Sequence, residues 1–380
     1  MGALDGVKAI ELAGIGPGPF CGMMLADMGA DVVRVDRASS VGKSYSEFPQ
    51  SDVLSRGRRS IGVDLKHPEG RKIIMSLIKE ADMLFEGFRP GVAERLGVGP
   101  EDCLAHNSKL VYGRMTGWGQ EGPYASSAGH DINYIALAGV LAHLGRSDTG
   151  PVPPLNLIGD FGGGGMYLAF GMVCALIEAR SSGKGQVVDA AMVDGSASLM
   201  SAFFGMMESG FHNPERGVNL LDTGAHFYNV YQCADGEWIS LGAIEPQFYS
   251  EMLDRLGLQE EEFSNQYDRD LWPEFTKKIA EVIARKTREE WDVLLAGSDV
   301  CYAPVLSVFE AIDHPHNVER GTFVEVDGVV QPAPAPRFSR TPGTVSRPPP
   351  HPGKHTEEVL TECGFDSNSI DALRSAGVVA

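Results

Sequence analysis

Short apolar runs alternate with longer amphipathic segments over the first 114 residues, and this alternation predicts an α/β fold. The predicted strands cover residues 7–12, 31–35, 83–86 and 110–114. Segments between them, such as residues 69–80, repeat apolar side chains at the three- and four-residue spacing of a helix. Strands that alternate with helices in this way form a parallel sheet with helices on its faces.

The pattern changes in the second half of the chain. Residues 227–241 alternate apolar and polar side chains around an Asp235-Gly236 turn, which predicts an antiparallel hairpin. Helical segments follow, and one of them opens with the capping box Thr287-x-x-Glu290. This change of character predicts a separate small domain with its own hairpin and helices.

We therefore expect three segments: a large domain over residues 1–200, a small domain over 215–325, and a last segment over 326–380. The last segment begins with an extended arm, because residues 331–352 contain eight prolines. Two short helices are predicted to follow the arm.

A glycine turn, GIGPG at residues 14–18, follows the first predicted strand. Together with Asp36 it is similar to the Gly-x-Gly-x-x-Gly motif of dinucleotide-binding domains. Pro19 replaces the third glycine of that motif, and Pro17 lacks the N–H that a pyrophosphate could use. An oxidoreductase dependent on a nicotinamide cofactor is therefore only a secondary interpretation of this unit.

Charge narrows the range of ligands. The 380 residues carry a net charge of −19, which argues against nucleic acid as a partner because phosphate backbones are bound by basic faces. An anionic ligand would need a local group of cations. Arg56, Arg58 and Arg59 form the densest such group in the N-terminal half, and we expect them to bind a phosphorylated ligand. The alternative is a solvated loop.

Cysteine usage and apolar runs bear on the compartment. The six cysteines are scattered without a CxxC pair, so neither a disulfide framework nor a zinc site is expected. The sequence contains no recognisable signal peptide, no apolar run of membrane-spanning length and no C-terminal SKL signal. We expect a cytoplasmic protein without a membrane partner; a peroxisomal or mitochondrial location stays open.

Candidate chemistry lies between residues 129 and 165. His130 is suited to proton exchange near neutral pH, although a hydrogen-bonded core histidine is the alternative. Asp160 precedes four glycines, 162–165, and an apolar helical run, so it is predicted to be the N-cap of that helix. Glycines weaken a helix, and their position predicts close approach of a ligand to free N–H groups that would favour an enolate oxygen. Capping alone is the other interpretation of Asp160.

Six sequence blocks occur in a recognisable order: ELAGIGPGPF, RPGVAERLG, GHDINYIALAG, PLNLIGDFGGGG, GKGQVVDAAMVDG and GAIEPQFY. With these blocks the chain resembles the alpha-methylacyl-CoA racemases of the family III CoA-transferase superfamily. The resemblance implies a Rossmann-like large domain built from both chain ends, so that segment 326–380 returns to it, plus a small α+β domain. It also implies a homodimer of interlocked subunits.

The same resemblance implies a binding site for an acyl-CoA thioester. The adenosine and phosphates of CoA would be held by Arg37, Val63, Asp64, Leu65, Lys66, Gly87, Phe88, Arg89 and Arg95. The pantetheine would pass Gly129, His130, Asp131, Ile132, Asn133 and Tyr134. CoA is part of the substrate, and neither a further cofactor nor a metal is expected.

In the racemases, the counterpart of His130 removes the α-proton of the (2S) substrate and that of Asp160 the proton of the (2R) substrate. The counterpart of Glu245 pairs with the histidine and comes from the partner subunit. Asn156 and Tyr228 also match positions near the site. In the transferases of the superfamily, the residue matching Asp160 is an acyl-accepting nucleophile, and this reading stays open together with a non-catalytic acyl-CoA-binding protein.

Overall fold

The structure, a computed structural model, describes residues 2–43 and 51–380. The chain forms two compact units. The first comprises Met1–Ala138, Leu155–Leu199 and Gly321–Ala380; the second comprises Gly139–Pro154 and Met200–Arg320. Residues 139–154 thus group with the second unit, although their sequence position suggested the large domain.

Six parallel strands form the sheet of the first unit in the order β3-β2-β1-β4-β5-β6. The antiparallel sheet β7-β8-β9 belongs to the second unit, and the hairpin β10-β11 to the first. The strands are β1 (Lys8–Leu12), β2 (Asp31–Arg37), β3 (Arg59–Val63), β4 (Met83–Glu86), β5 (Val111–Thr116), β6 (Val187–Ala191), β7 (Tyr228–Gln232), β8 (Trp238–Gly242), β9 (Tyr302–Val305), β10 (Phe323–Val326) and β11 (Val329–Pro332).

Helices cover both faces of the parallel sheet and complete the second unit. The α-helices are α1 (Pro17–Asp27), α2 (Pro68–Glu80), α3 (Val92–Arg95), α4 (Pro100–His106), α5 (Asp131–Leu137), α6 (Met166–Ser182), α7 (Met192–Leu199), α8 (Ser201–Glu208), α9 (Pro246–Leu256), α10 (Trp272–Ile283), α11 (Arg288–Leu295), α12 (Val308–Asp313), α13 (Pro315–Arg320), α14 (Thr356–Glu362) and α15 (Ser367–Ser375). The predicted α/β fold with a Rossmann-like strand order is confirmed.

Alternate side chains along the strands enter two separate cores. Ile10 points to the face that also buries Leu360 of α14, whereas Ala9 points to the face covered by Leu168 and Met172 of α6. This period of two is the geometry of a strand buried on both faces. The C-terminal helices therefore complete one side of the first unit.

The basic turn at residues 56–59 does not face solvent. Arg56 donates to both carboxylate oxygens of Asp27, one at 2.6 Å, and also to the side-chain oxygen of Gln331 and the carbonyl of Pro332. It thereby fastens the start of the proline-rich arm to the first unit. Arg58 is fully buried against Glu11 on β1.

Arg59 completes the same pattern. Its guanidinium contacts Asp31 at the start of β2 and two glutamates, Glu358 and Glu362, of α14. The prediction that Arg56, Arg58 and Arg59 bind a phosphorylated ligand is therefore wrong, because carboxylates of the protein already occupy their guanidinium groups. The partners lie far away in the sequence, which is why the turn looked free.

Helix α6 and the π-helical segment before it, Leu157–Ser182 together, are long and apolar enough to cross a membrane by length and composition alone, so the expectation that no apolar run reaches that length is wrong. One face of α6 is buried in the core of the sheet through Leu168, Met172 and Leu176. On the other face, Phe170 and Ile177 are 71% and 66% exposed. An uncovered apolar stripe therefore runs along a core helix.

The second unit buries a histidine among aromatic rings. His226 is fully buried, its Nε2 lies 2.7 Å from the hydroxyl of Tyr249, and the rings of Phe227 and Phe275 pack against it. Burial lowers the pKa of His226 from about 6.5 to about 3. The native state therefore keeps this imidazole neutral under acid conditions in which the unfolded chain protonates it.

This difference predicts a loss of stability in mild acid. Below pH 6.5 the unfolded chain binds one more proton at His226 than the native chain, so the free energy of unfolding falls as the pH drops. At pH 5 the loss from this group is about 2 kcal/mol relative to pH 7.5. Urea titrations at both pH values should show a smaller difference for His226→Gln than for the wild type. Substitution of the exposed His106 by glutamine should leave the difference unchanged; an equal response of both variants would contradict the assignment.

Candidate active site

A cleft of about 550 Å³ opens where the strand order of the parallel sheet reverses, between β1 and β4. In open α/β sheets this switch point, at the carboxyl ends of the strands, is the usual ligand site. The turns after β1, β4 and β5 line the cleft together with the start of α5 and the segment before α6. Its lining residues include Gly14, Gly16, Gly87, Phe88, Arg89, Gly129, His130, Tyr134, Asn156 and Asp160.

Asp160 does not cap a helix. It lies inside a π-helical segment, Leu157–Gly165, which continues directly into α6. The predicted N-cap is therefore wrong; Asn156 holds that position. π-helical turns are rare and frequently occur at functional sites.

The glycines after Asp160 serve packing inside the protein. A Cβ on Gly163 would lie 2.6 Å from the backbone nitrogen of Ser196 on α7, and a Cβ on Gly165 would lie 2.7 Å from the carbonyl oxygen of Pro17 on α1. The backbone of the π-helical segment thus touches two neighbouring helices directly. The prediction that these glycines admit a ligand is not what the structure shows at Gly163 and Gly165.

The Asp160 carboxyl is partly buried, and its surroundings shift its pKa. Burial raises its pKa, the charge of Asp131 adds to this rise, and a hydrogen bond from Asn156 Nδ2 at 3.0 Å together with the nearby His130 opposes it. The Asp160 N–H donates to Asp131 Oδ1 at 2.7 Å, so this N–H is not free for an enolate oxygen. A carboxyl whose pKa is raised both donates and accepts protons more readily near neutral pH.

Gly16 lies directly against the Asp160 carboxyl. Its backbone has a φ of +67°, and a Cβ there would lie 2.9 Å from Asp160 Oδ2. Gly16 is the N-cap of α1, which begins with Pro17. Two independent constraints, the left-handed backbone and the nearby carboxylate, therefore require glycine at this position.

Gly16→Ala is expected to reduce turnover without unfolding the protein. The added methyl would strain the backbone by about 1–2 kcal/mol and displace the carboxylate of Asp160, a candidate catalytic residue; a displacement of about 1 Å at a catalytic group can cost about 100-fold in rate. Steady-state kinetics measures the effect, and thermal unfolding checks the fold. Gly205→Ala is the control, because a Cβ there meets no atom of the described residues within 4 Å. Full activity of Gly16→Ala would contradict the close approach.

His130 directly precedes α5. It is exposed, it is the N-cap residue of the helix, and its N–H donates to the side-chain oxygen of Asn133 at 3.0 Å. Tyr134, one turn further on, is buried and donates its hydroxyl to the carbonyl of Gly129. The pKa of Tyr134 is raised by burial and by the charge of Asp160, so it stays a neutral donor. The imidazole is exposed and lines the cleft, where it can meet a ligand.

Glu86 is a cleft residue that the sequence did not reveal. It ends β4, is buried, and accepts the N–H of Phe88 at 2.5 Å. Its Oε1 lies 3.3 Å from Nε of Arg114, and Arg114 also pairs with Glu94 at 2.9 Å. Burial raises the pKa of Glu86 to about 7. This network holds the turn at residues 87–89, and only its position at a strand end could have indicated it.

A second cleft, of about 740 Å³, lies at the carboxyl ends of β1, β2 and β3. Leu12 and Phe88 line both clefts. Its lining includes the exposed Arg37, the segment 63–66 and Arg374 of α15. Arg374 could not be predicted, because only the fold brings the C-terminal helix to this edge. Asp36, the acid of the dinucleotide-like motif, is buried and already holds Arg34 at 3.0 Å and Ser60 at 2.7 Å.

The remaining predicted site residues lie outside the lining of these two clefts. Asp131 is buried at the start of α5, whereas Ile132 and Asn133 are exposed on the same helix. Arg95 is exposed at the end of α3. Glu245 and Tyr228 belong to the second unit: Glu245 is the exposed N-cap residue of α9, and Tyr228 begins β7.

A resident metal has no evident ligands in the part of the chain that the structure describes. No group of three or more His, Cys, Asp or Glu residues suited to hold a metal ion occurs within residues 2–43 and 51–380.

Comparison with known proteins places the chain in a family. Residues 4–356 match CoA-transferase family III. The protein of Mus musculus named alpha-methylacyl-CoA racemase is 48% identical over 379 residues, which cover 99% of this chain and 97% of that protein. The Homo sapiens protein of the same name is 46% identical over 381 residues, with the same coverage of 99% and 97%. A solved structure of a CAIB/BAIF family protein from Brucella suis superposes with a TM-score of 0.83 at 26% identity, covering 95% of this chain and 99% of that one. The chain therefore belongs to CoA-transferase family III.

Proposed function

We propose that the protein is a racemase that interconverts the (2R) and (2S) forms of 2-methylacyl-CoA thioesters by proton transfer through an enolate. The observation that carries this proposal is the position of His130 and Asp160 in one cleft. Inversion at the carbon beside a thioester requires one group to remove the hydrogen from one face and another to return a hydrogen to the opposite face. The names of the Mus musculus and Homo sapiens relatives support the same reaction.

His130 would remove the α-proton of the (2S) substrate, and Asp160 that of the (2R) substrate. The raised pKa of Asp160 suits this exchange of roles, since the group must be a base in one direction and an acid in the other. Glu245, exposed at the start of α9, would come from a partner subunit and orient the imidazole, as the carboxylate of a catalytic triad does. The thioester itself acidifies the α-hydrogen, so the reaction needs no cofactor beyond the CoA of the substrate.

The second cleft would take the nucleotide end of CoA. Arg37 and Lys66 line it as exposed cations in a protein of net charge −19, and cations of this kind bind phosphates. Arg89 lines the first cleft, where the thioester would lie. Because Leu12 and Phe88 line both clefts, one extended ligand can occupy them together. Arg95, on α3, would add to the phosphate site.

A homodimer is the second part of the proposal. The apolar stripe of α6, with Phe170 and Ile177 largely exposed, is a surface that a second copy would cover. Sedimentation at micromolar concentration should give a dimer. A fully active monomer would contradict both the dimer and the role of Glu245.

The cytoplasm is the compartment that we propose. All six cysteines are free thiols, which suits a reducing environment. The strongly negative net charge gives no support for binding to nucleic acid or to an anionic membrane.

One experiment tests the reaction directly. The purified protein is incubated in heavy water with one enantiomer of 2-methylacyl-CoA, and deuterium at the α-carbon and the optical purity are followed together. Deuterium uptake with loss of optical purity is the expected result. The absence of exchange, with transfer of CoA to an added free acid, would replace the racemase by a CoA-transferase in which Asp160 is the nucleophile.

A further inference from the structure

Asp131 joins the two elements that carry the proposed bases. It is the first residue of α5, directly after His130, and only 6% of it is exposed. Its Oδ1 accepts the N–H of Asp160 at 2.7 Å across 29 residues of sequence. Its Oδ2 is buried and has no hydrogen-bond partner in the part of the chain that the structure describes.

The space for this carboxylate is built into the π-helical segment. A Cβ on Gly159 would lie 2.4 Å from Asp131 Oδ1 and 3.2 Å from the side chain of Ile135. Gly159 has no left-handed backbone, so the nearby carboxylate is the reason for glycine there. The first N–H groups of any helix lack acceptors within it, and the carboxylate of Asp131 accepts the hydrogen bond of one of them, the N–H of Asp160, from outside the segment.

The helix that carries Asp131 is itself held at its start. The N–H of His130 donates to Asn133, and the carbonyl of His130 accepts the N–H of Asn133 at 2.8 Å. The backbone of His130 and the carboxylate of Asp131 therefore belong to one fixed turn. A single hydrogen bond connects this turn to the backbone of Asp160.

We propose that Asp131 is a positioning residue for the reaction: its carboxylate holds the backbone of Asp160 against the first turn of α5 and so fixes the separation of the two bases. This role rests on the proposed racemase function and adds to it a residue that does not touch the reacting carbon. The buried negative charge has a second effect, because it acts on the proton affinity of its neighbour.

The groups that face the Asp160 carboxyl determine how the charge of Asp131 changes its pKa. They are Asp131 and His130 at the start of α5, Tyr134 on the same helix, Asn156 on its own segment and the uncharged Gly16 before α1. After burial, the charge of Asp131 is a cause of the raised pKa of Asp160, and His130 opposes it. Removing the charge of Asp131 should therefore lower the pKa of Asp160.

Two kinds of substitution separate geometry from charge. Asp131→Asn keeps an oxygen that accepts the Asp160 N–H but removes the charge. Asp131→Ala removes both, and Gly159→Ala leaves the aspartate in place while its new methyl displaces the carboxylate. Asp102→Asn, an exposed change of the same charge on α4, and Gly205→Ala are the matched controls.

The variants are compared by kcat and KM in both directions, by the pH profile for the (2R) substrate and by CoA affinity as a check of folding. We expect Asp131→Ala and Gly159→Ala to lower kcat on the order of 100-fold with KM nearly unchanged. Asp131→Asn should keep kcat within about tenfold of the wild type, since the hydrogen bond is retained. In the pH profile of Asp131→Asn for the (2R) substrate, the rise in activity on the acid side should move to lower pH, because Asp160 then loses its proton more easily.

Three results would overturn the proposal: wild-type kcat in folded Asp131→Ala, wild-type kcat in Gly159→Ala, or an unmoved rise on the acid side of the pH profile in Asp131→Asn. If Asp131→Ala does not fold, Asp131→Asn and Gly159→Ala decide the question. A wild-type protein that neither exchanges nor inverts the substrate would instead overturn the proposed function, and that result is read from the wild type alone.

Discussion

Asp160→Asn is expected to abolish racemisation of a 2-methylacyl-CoA while exchange of the α-hydrogen persists for one enantiomer only. Asparagine cannot accept a proton, so the face of the enolate that we propose Asp160 to serve would lose its base. His130 lines the same cleft and would still remove the proton of the (2S) form and return a deuteron to the same face. We expect kcat for inversion to fall by about 10³-fold, within the range of general acid–base contributions.

His130→Gln should give the mirror result. Exchange should then survive for the (2R) form, because Asp160 remains, and inversion should again be lost. Each pure enantiomer is incubated in heavy water with each variant, and mass spectrometry is combined with chiral separation. Calorimetry with CoA should give nearly wild-type affinity for both variants, because the proposed phosphate contacts are made elsewhere.

Inversion by either variant at the wild-type rate would contradict the two-base assignment. Loss of exchange from both enantiomers in both variants would be equally informative, because it would mean that the two side chains act only as a unit. The pattern of exchange therefore tests the separate role of each residue, which a simple loss of activity does not.

Local sequence patterns were sufficient for the framework of the fold. The apolar alternation around residues 7–12 and 31–35 correctly predicted β1 and β2, and the Asp235-Gly236 turn correctly predicted the β7-β8 hairpin. The capping box of Thr287 and Glu290 is present at the start of α11. These features depend on residues close in sequence, where side-chain periodicity and turn chemistry determine the backbone.

The prediction for Asp160 was wrong because its environment depends on residues that are distant in the sequence. Aspartate before a helical run is normally a cap, but Gly163 and Gly165 let the backbone pack directly on α7 and α1 and continue as a π-helix. The N–H that the cap model left free is taken by Asp131, which lies 29 residues earlier. Contacts of this kind depend on tertiary packing and leave no local signal.

The prediction of a phosphate site at the basic turn, residues 56–59, was wrong for the same reason. In sequence Arg58 has other arginines beside it, but in the fold its partner is Glu11 on β1, 47 residues away. Two of the cations that do remain exposed at the clefts, Arg37 and Arg89, have no other cation beside them in the sequence. The local density of positive charge therefore indicated arginines that form ion pairs within the protein, and it did not indicate the arginines that are exposed at the clefts.

Arg58→Met is expected to destabilise the first unit by about 3–5 kcal/mol, because it leaves Glu11 buried without its counter-charge. Both side chains are almost completely inaccessible, and a Cβ on Gly22 would lie 2.5 Å from Arg58 Nη1, so little room remains for water. Urea titration of the full chain measures the loss. The double variant Glu11→Met with Arg58→Met should recover most of it, since an apolar pair of similar size needs no counter-charge.

The affinity for CoA distinguishes this structural role from ligand binding. Folded Arg58→Met should bind CoA as the wild type does, whereas Arg37→Ala and Arg89→Ala, at exposed positions, should weaken binding and leave the free energy of unfolding unchanged. Retained stability with lost CoA affinity in Arg58→Met would mean that the guanidinium serves the ligand and not Glu11. A double variant no more stable than Arg58→Met would mean that the two side chains contribute separately, because a coupled pair requires the second substitution to relieve the first.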